Sequence, residues 1–470
     1  MNFDELKSRA IAVAEEEFAK ARAEKDIPGI AFGLLYENDL VYSSGLGETK
    51  KGNGTKPDLD SVFRIASMTK SFTAQAILLL RDRNLLRLED EITRYLPWTA
   101  TIGQPNSSDP ITIWHLLTMG AGFPTDDPWG DRQEDLPLAE FDRLVAGGLT
   151  FNRNVNEGFE YSNLGYALLG RIIAVVSGST FEEFVKSEIL DPCGLTSTTY
   201  YSEEVDDSRR AHGHVNFPSG TQIVPTVKTG AFTPMGGLHS TVRDIASWVQ
   251  YFRTGHLEAQ TPARHVRSAV VPAEGEIPER VIASHYGYGI FIDDDAELGR
   301  FTSHSGGYPG FGSHMRWHRE SGWSIIGLAN LTYAPMSVIS AKILNQIAWL
   351  EKQSNPRSPD LHPETRNAMD LVEGLLRDWN EEVVDQNFAV NMDLDCPRSD
   401  RREEFAIVGQ QFAGFARVDN SLSSSAKSHA KWKVAVDSKE LEVEVLISPE
   451  KPPKVQKIVL KEILPEEVKS

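Results

Sequence analysis

The sequence predicts an α+β protein with two domains. Short apolar or alternating runs near the start and again at 285–330 are typical of strands, whereas about 85–230 has a helical pattern broken by Pro and Asp. A Pro-rich segment, 353–363, then has the composition of a linker. We therefore expect a first domain at 1–352 and a small α+β domain at 364–470.

The first domain opens with a charged, amphipathic helix over about 4–25, which ends before Pro28. A β-hairpin follows, because the runs IAFGLLY and LVYSSGLG are joined by the turn segment 37–39. A long apolar helix comes after Ser67, and a second is expected over Leu164–Val176, where apolar residues recur at helical spacing.

Strands return at YGYGIFID, FTSHSGG, SHMRWHR and WSIIGLAN, and a last helix over about 335–352 closes the domain. Together these elements predict one antiparallel sheet flanked by the terminal helices, with the residues of about 85–230 forming a helical lobe. A cleft between the two parts is the default place for a site. In the second domain, a helix from Glu364 to about Val384 is expected to pack on an antiparallel sheet.

Composition excludes several classes of function. The chain has 470 residues, of which 40% are apolar, and a net charge of −19, so binding to nucleic acid is not expected. The sequence contains no H-E-x-x-H, no G-x-S-x-G, no phosphate-binding loop and no dinucleotide fingerprint. No cofactor and no metal are expected.

The N-terminal segment has no uninterrupted apolar core of the signal-peptide type, and no run approaches the length of a membrane span. We therefore expect a cytoplasmic protein without membrane association. Cys193 and Cys396 lie far apart, which argues against a disulfide framework.

The candidate nucleophile is Ser67, which is followed three residues later by Lys70 at the start of the long apolar helix. Three residues are just under one helical turn, so both side chains share a face. A lysine amine can accept the serine proton when desolvation lowers its pKa. The spacing alone is weak, because Ser-x-x-Lys occurs four times, and a capping serine with a solvated lysine is the alternative.

Two further motifs carry polar groups that could face the same cavity. Tyr161-Ser162-Asn163 lies on a loop that enters a helix, although Tyr161 could equally be a core aromatic with a solvated hydroxyl. His304-Ser305-Gly306 lies in the glycine-rich stretch FTSHSGGYPGFGS, where a strand edge leaves backbone N–H groups open to a ligand.

In this chain order, the three motifs resemble those of the penicillin-recognising serine hydrolases, the superfamily of class C β-lactamases, DD-peptidases, D-aminopeptidases and related esterases. The resemblance runs from about Ile27 to about Trp349. It includes the segments ITIWHLLTMGAGFP, DPCGLTSTTY, MGGLHSTVRDIASWV and YGYGIFI. It implies a β-lactamase/DD-peptidase-like fold for the first domain.

The resemblance also implies an acyl-enzyme mechanism. Ser67 would attack an ester or amide carbonyl, and Lys70 and Tyr161 would share the proton transfers. Either a neutral Lys70 or a Tyr161 phenolate beside a cationic Lys70 could act as general base, and the sequence does not choose between them.

The remaining candidate residues would bind the substrate. By resemblance, the backbone N–H groups of the nucleophile and of Gly307 hold the oxyanion, and Asn163 holds the amide of the acyl portion. His304, Ser305 and Gly306 complete the substrate-binding set. Histidine at 304 stands where β-lactamases of this type carry lysine, whereas DD-peptidases and D-peptidases often carry histidine, which argues against efficient β-lactamase activity.

We therefore expect a metal-free serine hydrolase for small esters or amides, D-amino-acid amides and D-peptides included. One alternative is a DD-carboxypeptidase or β-lactamase acting on peptidoglycan or β-lactams, which would require export. The other is a non-catalytic binding protein, against which the complete set of motif residues argues. For the C-terminal domain we favour a packing or homo-oligomerisation module over a lid on the active site.

Overall fold

The computed structural model describes residues 2–105, 109–354, 360–419, 421–424 and 426–463. The chain divides into two compact units, Met1–Ser354 and Asn355–Ser470. The predicted linker began at 353, and its residues 355–359 lie outside the described part of the chain.

The helices of the first unit are α1 (Phe3–Lys25), α2 (Thr69–Asp82), α3 (Ile113–Leu117), α4 (Asp127–Gly130), α5 (Leu138–Ala146), α6 (Asn163–Ser177), α7 (Phe181–Val185), α8 (Thr233–Gly236), α9 (Val242–Thr254) and α10 (Met336–Ser354). Its strands are β1 (Gly29–Tyr36), β2 (Asp39–Gly47), β3 (Phe63–Arg64), β4 (His214–Phe217), β5 (Gly220–Ile223), β6 (His239–Ser240), β7 (Arg264–Val271), β8 (Arg280–Tyr286), β9 (Phe291–Asp295), β10 (Gly299–Tyr308), β11 (Phe311–His318) and β12 (Trp323–Ala329).

An eight-stranded sheet forms the centre of this unit, in the order β2-β1-β12-β11-β10-β9-β8-β7. Strand β1 pairs antiparallel with β12, from Ile30 opposite Ala329 to Tyr36 opposite Trp323, so the start and end of the domain meet as the second and third strands of the sheet. Almost every residue of β1, β11 and β12 is buried, which explains the near-continuous apolar runs of β1 and β12.

The terminal helices cover one face of this sheet. Helix α1 begins with a capping box, in which the Asn2 side chain accepts the Glu5 N–H and the Glu5 side chain accepts the Asn2 N–H. Its buried side chains, such as Phe18, share an apolar core with those of α10, such as Ile343. A second core gathers around α2 and α6 and includes Phe72 and Leu168.

The second unit contains the helices α11 (Pro363–Arg377), α12 (Glu381–Asn387), α13 (Asn391–Asp395) and α14 (Arg398–Gln411), and the strands β13 (Ala416–Arg417), β14 (His429–Val436), β15 (Lys439–Ile447) and β16 (Val455–Ile463). The strands form a four-stranded antiparallel sheet in sequence order. The unit has its own apolar core, with Trp432 and Leu441 on the sheet and Val372 on α11.

The α+β class and the predicted antiparallel sheet flanked by the terminal helices are confirmed, but several boundaries differ from prediction. The predicted strand YGYGIFID is interrupted, because Gly287–Ile290 joins β8 to β9 and Gly289 has a φ of +69°. Strand β7 was not predicted because most of its residues are exposed and give no alternation. The helix expected to reach Val384 ends at Arg377, since Asp378 is extended and Asn380 caps α12.

Among the described residues, no single helix is long and apolar enough to cross a membrane. Two consecutive helical segments, Asn163–Ser177 and Phe181–Leu190, reach the required length and apolar composition only when they are taken together. The chain bends by 78° between them.

Candidate active site

Ser67 lies in a tight helical turn, Ala66–Met68, that leads directly into α2. Ala66 has a φ of +47°, a left-handed conformation that residues with a Cβ rarely adopt. The preceding residue is fixed on both sides, since the Ile65 N–H donates to Leu238 O at 2.9 Å and Ile65 O accepts from Ser313 Oγ at 2.7 Å. The strained turn therefore places the Ser67 hydroxyl at the N-terminal end of a long buried helix.

Lys70 is completely buried, and its amine nitrogen has three oxygen neighbours. Lys70 Nζ lies 2.9 Å from Ser67 Oγ, 2.7 Å from Asn163 Oδ1 and 2.8 Å from the carbonyl oxygen of Met235. Burial lowers the pKa of Lys70 from 10.5 to about 8, against the opposing charge of Asp127. The neutral amine is therefore a minor but accessible form at pH 7, next to the serine hydroxyl.

Tyr161 lies beside the lysine, with its ring centroid 4.9 Å from Lys70 Nζ. Burial raises the pKa of the Tyr161 phenol well above 10, and the negative charge of Asp127 raises it further, whereas a hydrogen bond with Ser67 opposes the shift. The phenol is therefore protonated in the resting site, and the structure brings Ser67, Lys70 and Tyr161 together.

Asn163 holds the lysine in place. Its Oδ1 accepts from Lys70, while its Nδ2 donates to Asp127 Oδ1 at 2.9 Å, and the side chain is fully buried. Asp126 accepts the backbone N–H groups of Asn163 and Leu164, at 2.7 and 2.8 Å, and so caps the N-terminus of α6. Both the oxygen and the nitrogen of the Asn163 side-chain amide are therefore hydrogen-bonded within the protein.

His304 is buried as a neutral imidazole. Its Nδ1 lies 2.7 Å from the Ser305 carbonyl oxygen, which can only accept, so Nδ1 carries the proton and Nε2 accepts from the Tyr286 hydroxyl at 3.3 Å. Burial, together with the charge of Lys70, lowers the pKa of His304 to about 3. The side chain therefore supplies no positive charge to the site.

The residues that follow His304 on β10 face alternate sides of the sheet. Ser305 pairs with His314 and lines a cavity with Ser337 of α10, on the face opposite to His304. Gly306 passes so close to the nucleophile turn that a Cβ would lie 2.1 Å from Ile65 O, which only a glycine avoids. Gly307 continues this strand edge.

Sequence reasoning missed several residues of the site. The Met235 carbonyl comes from α8, 165 residues along the chain from Lys70, and a backbone oxygen leaves no signal in the sequence. Asp127 and Asp131 lie in a loop-rich segment where an acidic residue is commonplace, and Tyr286 was assigned only to a strand. The resemblance segment MGGLHSTVRDIASWV was the one indication, since it begins at Met235.

Within the part of the chain that the structure describes, no group of three or more His, Cys, Asp or Glu side chains is arranged to hold a metal ion. Cys193 and Cys396 are both free thiols.

Residues 14–348 match the protein family described as Beta-lactamase. This match covers well over half of the chain. The chain belongs to the beta-lactamase family. This is a family of serine hydrolases, in agreement with the arrangement of Ser67 and Lys70 and with the superfamily predicted from the three motifs.

Among its curated relatives, this family member is 29% identical over 309 residues to Penicillin-binding protein 4* of Bacillus subtilis, a match that covers 62% of this chain and 66% of that protein. It is 30% identical over 227 residues to the D-alanyl-D-alanine-carboxypeptidase/endopeptidase AmpH of Escherichia coli, covering 48% and 57% respectively. The chain thus spans about half to two thirds of the length of the curated relatives it matches.

Solved structures show the same fold. The octameric penicillin-binding protein homologue from Pyrococcus abyssi superposes with a TM-score of 0.61 at 21% identity, covering 96% of this chain and 99% of that one. A penicillin-binding protein from Bacillus halodurans superposes with a TM-score of 0.55 at 22% identity, covering 71% of this chain and 99% of that one.

Proposed function

We propose that this beta-lactamase family member hydrolyses small esters or amides through an acyl-enzyme on Ser67. The observation that carries the proposal is the buried Lys70 amine 2.9 Å from Ser67 Oγ, with carbonyl oxygens at its two other contacts. In the neutral amine, these carbonyls accept both N–H groups, so the lone pair faces the serine hydroxyl. This geometry favours Lys70 as the general base.

In the proposed reaction, Lys70 takes the Ser67 proton as Oγ forms a bond to the substrate carbonyl carbon. The carbonyl oxygen becomes an oxyanion, which the backbone N–H groups of Ser67 and Gly307 stabilise. The Tyr161 hydroxyl, protonated at rest, passes a proton to the leaving alcohol or amine and is reprotonated from the Lys70 ammonium. Water then attacks the acyl-enzyme by the same groups in reverse.

Uncharged acyl donors fit this site better than carboxylate-bearing ones. A neutral His304 stands where β-lactamases of this type carry a lysine, and Asp127 and Asp131 add negative charge near Lys70. A substrate carboxylate would therefore meet repulsion rather than an ion pair. Esters, and amides such as D-amino-acid amides and D-peptides whose carboxylate lies away from the scissile bond, are the proposed substrates.

A DD-carboxypeptidase is the second candidate, supported by the similarity to AmpH. The two candidates differ in whether the substrate must carry a free carboxylate next to the scissile bond. Hydrolysis of D-alanyl-p-nitroanilide without hydrolysis of a D-alanyl-D-alanine peptide supports the amidase, and the reverse result supports the carboxypeptidase.

The acyl-enzyme itself can be tested by covalent labelling. We expect a fluorophosphonate probe to add one label at Ser67, located by peptide mass spectrometry, and Ser67→Ala to abolish it. Ser71, which donates to Met68 O at 2.7 Å in the same helix, offers a matched control, because Ser71→Ala should still be labelled. Labelling of Ser67→Ala at another residue would refute the assignment.

A further inference from the structure

Tyr333 adopts a backbone conformation that an aromatic residue rarely takes. It follows β12 with a φ of +49°, in the left-handed region that favours glycine. Its N–H bonds to the carbonyl oxygens of Tyr308 and Phe311, at 3.3 and 3.1 Å. Because the side chain is 48% exposed, burial in the core does not explain why a bulky residue is kept at this strained position.

The ring of Tyr333 lies against the strand edge beside the nucleophile. A Cβ placed on Gly307 would come within 3.0 Å of the Tyr333 Cδ1 atom. Gly307 carries one of the two backbone N–H groups assigned above to the oxyanion. The ring therefore lies against the residue whose N–H is proposed to hold the substrate carbonyl oxygen.

The other end of the ring is tied to the helical part of the unit. The Tyr333 hydroxyl donates to Asp131 Oδ2 at 2.8 Å, and Asp131, which follows α4, is only 4% exposed. A charge-assisted hydrogen bond to a buried carboxylate is stronger than a bond between neutral groups. The ring is thus held by Gly307 on one side and by Asp131 on the other.

We propose that Tyr333 is a specificity-determining residue that limits the bulk of the acyl group accepted at Ser67, and that Asp131 is its positioning residue. The proposal rests on the proposed acylation of Ser67. Acyl groups branched next to the carbonyl require the space that the ring fills, whereas an acetyl group does not.

The test compares two esters with the same leaving group, p-nitrophenyl acetate and p-nitrophenyl trimethylacetate. The intrinsic difference in reactivity cancels when the ratio of their kcat/KM values is compared between variants. We expect Tyr333→Gly to raise the trimethylacetate-to-acetate ratio by about tenfold or more, the size of effect that a few methyl groups produce in a pocket. Glycine accepts a positive φ, so this variant removes the ring without adding backbone strain.

Asp131 is tested through the same ratio. Asp131→Ala and Tyr333→Phe should each raise the ratio partway, and combining them should add little, because both break one hydrogen bond. Asp131→Asn, which keeps an oxygen acceptor, should restore most of the wild-type ratio. The change should appear in KM for the branched ester, which a general loss of structure would not produce selectively. Tyr201→Ala, at a tyrosine that is 37% exposed, is the control.

The outcomes separate this inference from the proposed function. If a fluorophosphonate labels Ser67 in every variant and the ratio in Tyr333→Gly stays within twofold of wild type, Tyr333 does not determine specificity. If Asp131→Ala leaves the ratio unchanged while Tyr333→Gly raises it, Asp131 does not position the ring. If wild-type protein is not labelled at Ser67, the proposed function fails and this inference fails with it.

Discussion

Of the three oxygens around the Lys70 amine, one belongs to a group that can give up a proton. Met235 O and Asn163 Oδ1 are acceptors, whereas the Ser67 hydroxyl can also donate. At the same time, burial moves the pKa of Lys70 down and that of Tyr161 up. The two shifts support the proposed division of roles, in which the lysine is the better base and the phenol remains a proton donor.

The pH dependence of acylation should follow Lys70. Its pKa is lowered to about 8, so the neutral amine is scarce at pH 6 and predominates at pH 9. We therefore expect kcat/KM for p-nitrophenyl acetate to rise with pH to a plateau, with a midpoint near 8. Asp127→Asn removes a charge that favours the ammonium form and should move the midpoint to lower pH, whereas the exposed Glu89→Gln should not move it.

Tyr161→Phe provides an independent measurement of the division of roles. The variant keeps the ring beside Lys70 but loses the hydroxyl that supplies the leaving-group proton. We expect kcat for hydrolysis of D-alanyl-p-nitroanilide to fall by about 10²–10⁴, as is usual when an acid–base group is removed. The rise of kcat/KM with pH should persist. A pH-independent rate in this variant would instead identify Tyr161 as the base.

The site residues that could be predicted from the sequence are those linked by local geometry or carried by the three family motifs. Ser67 and Lys70 lie less than one turn apart on one helix, so their contact follows from the helical repeat. Asp127 accepts a hydrogen bond from Asn163, which lies 36 residues further along the chain. This contact depends on tertiary packing, which leaves no local pattern in the sequence. The neutral state of His304 likewise depends on burial beneath Tyr286, which the motif alone does not reveal.

At the scale of elements, the site depends on how closely β10 approaches the turn before α2. Gly306 is the point of contact, with Ile65 O and Ser313 Oγ only 2.1 and 2.3 Å from where a Cβ would lie. Ser313 on β11 donates to Ile65 O at 2.7 Å, so two adjacent strands hold the backbone that leads into Ser67. The sheet thus fixes the position of the nucleophile directly.

Gly306→Ala should therefore damage the site. The added methyl group must displace the backbone oxygen of Ile65, and overpacking of this kind costs about 1–3 kcal/mol of unfolding free energy. We expect a lower midpoint in urea and slower fluorophosphonate labelling of Ser67. Gly255→Ala is the matched control, because Gly255 has an extended φ of −164° and nothing within 4 Å of its Cβ position. Equal labelling rates in both variants would contradict the predicted role of this contact.

Elements with a buried apolar face were predicted well and exposed ones were not. Strand β1 and the helices α6 and α10 lie within a residue or two of their expected positions, because their buried residues leave an apolar run or a helical apolar repeat in the sequence. Strand β7 at the sheet edge has most of its residues exposed, so no apolar pattern marks it. The break between β8 and β9 depends on the left-handed Gly289, which a Gly/Tyr-rich run conceals.

At the scale of the whole molecule, the chain contains two separately built units. The first holds the proposed catalytic residues and two apolar cores, and the second, Asn355–Ser470, has a core of its own around Trp432. A unit that buries its own apolar residues has the means to fold by itself. The proposed catalytic residues all belong to the first unit, so the second need not contribute to acylation.

Calorimetry of the full chain should show two unfolding transitions. Leu168→Ala on α6 and Leu441→Ala on β15 make the same change at buried sites, one in each unit, and each should cost about 2–5 kcal/mol. We expect each variant to lower one transition and leave the other within 1 to 2 °C or so of its wild-type midpoint. Loss of Ser67 labelling on heating should follow the transition that Leu168→Ala lowers. A single transition lowered by both variants would show that the two units unfold as one cooperative structure, and the second unit would then support the site through stability.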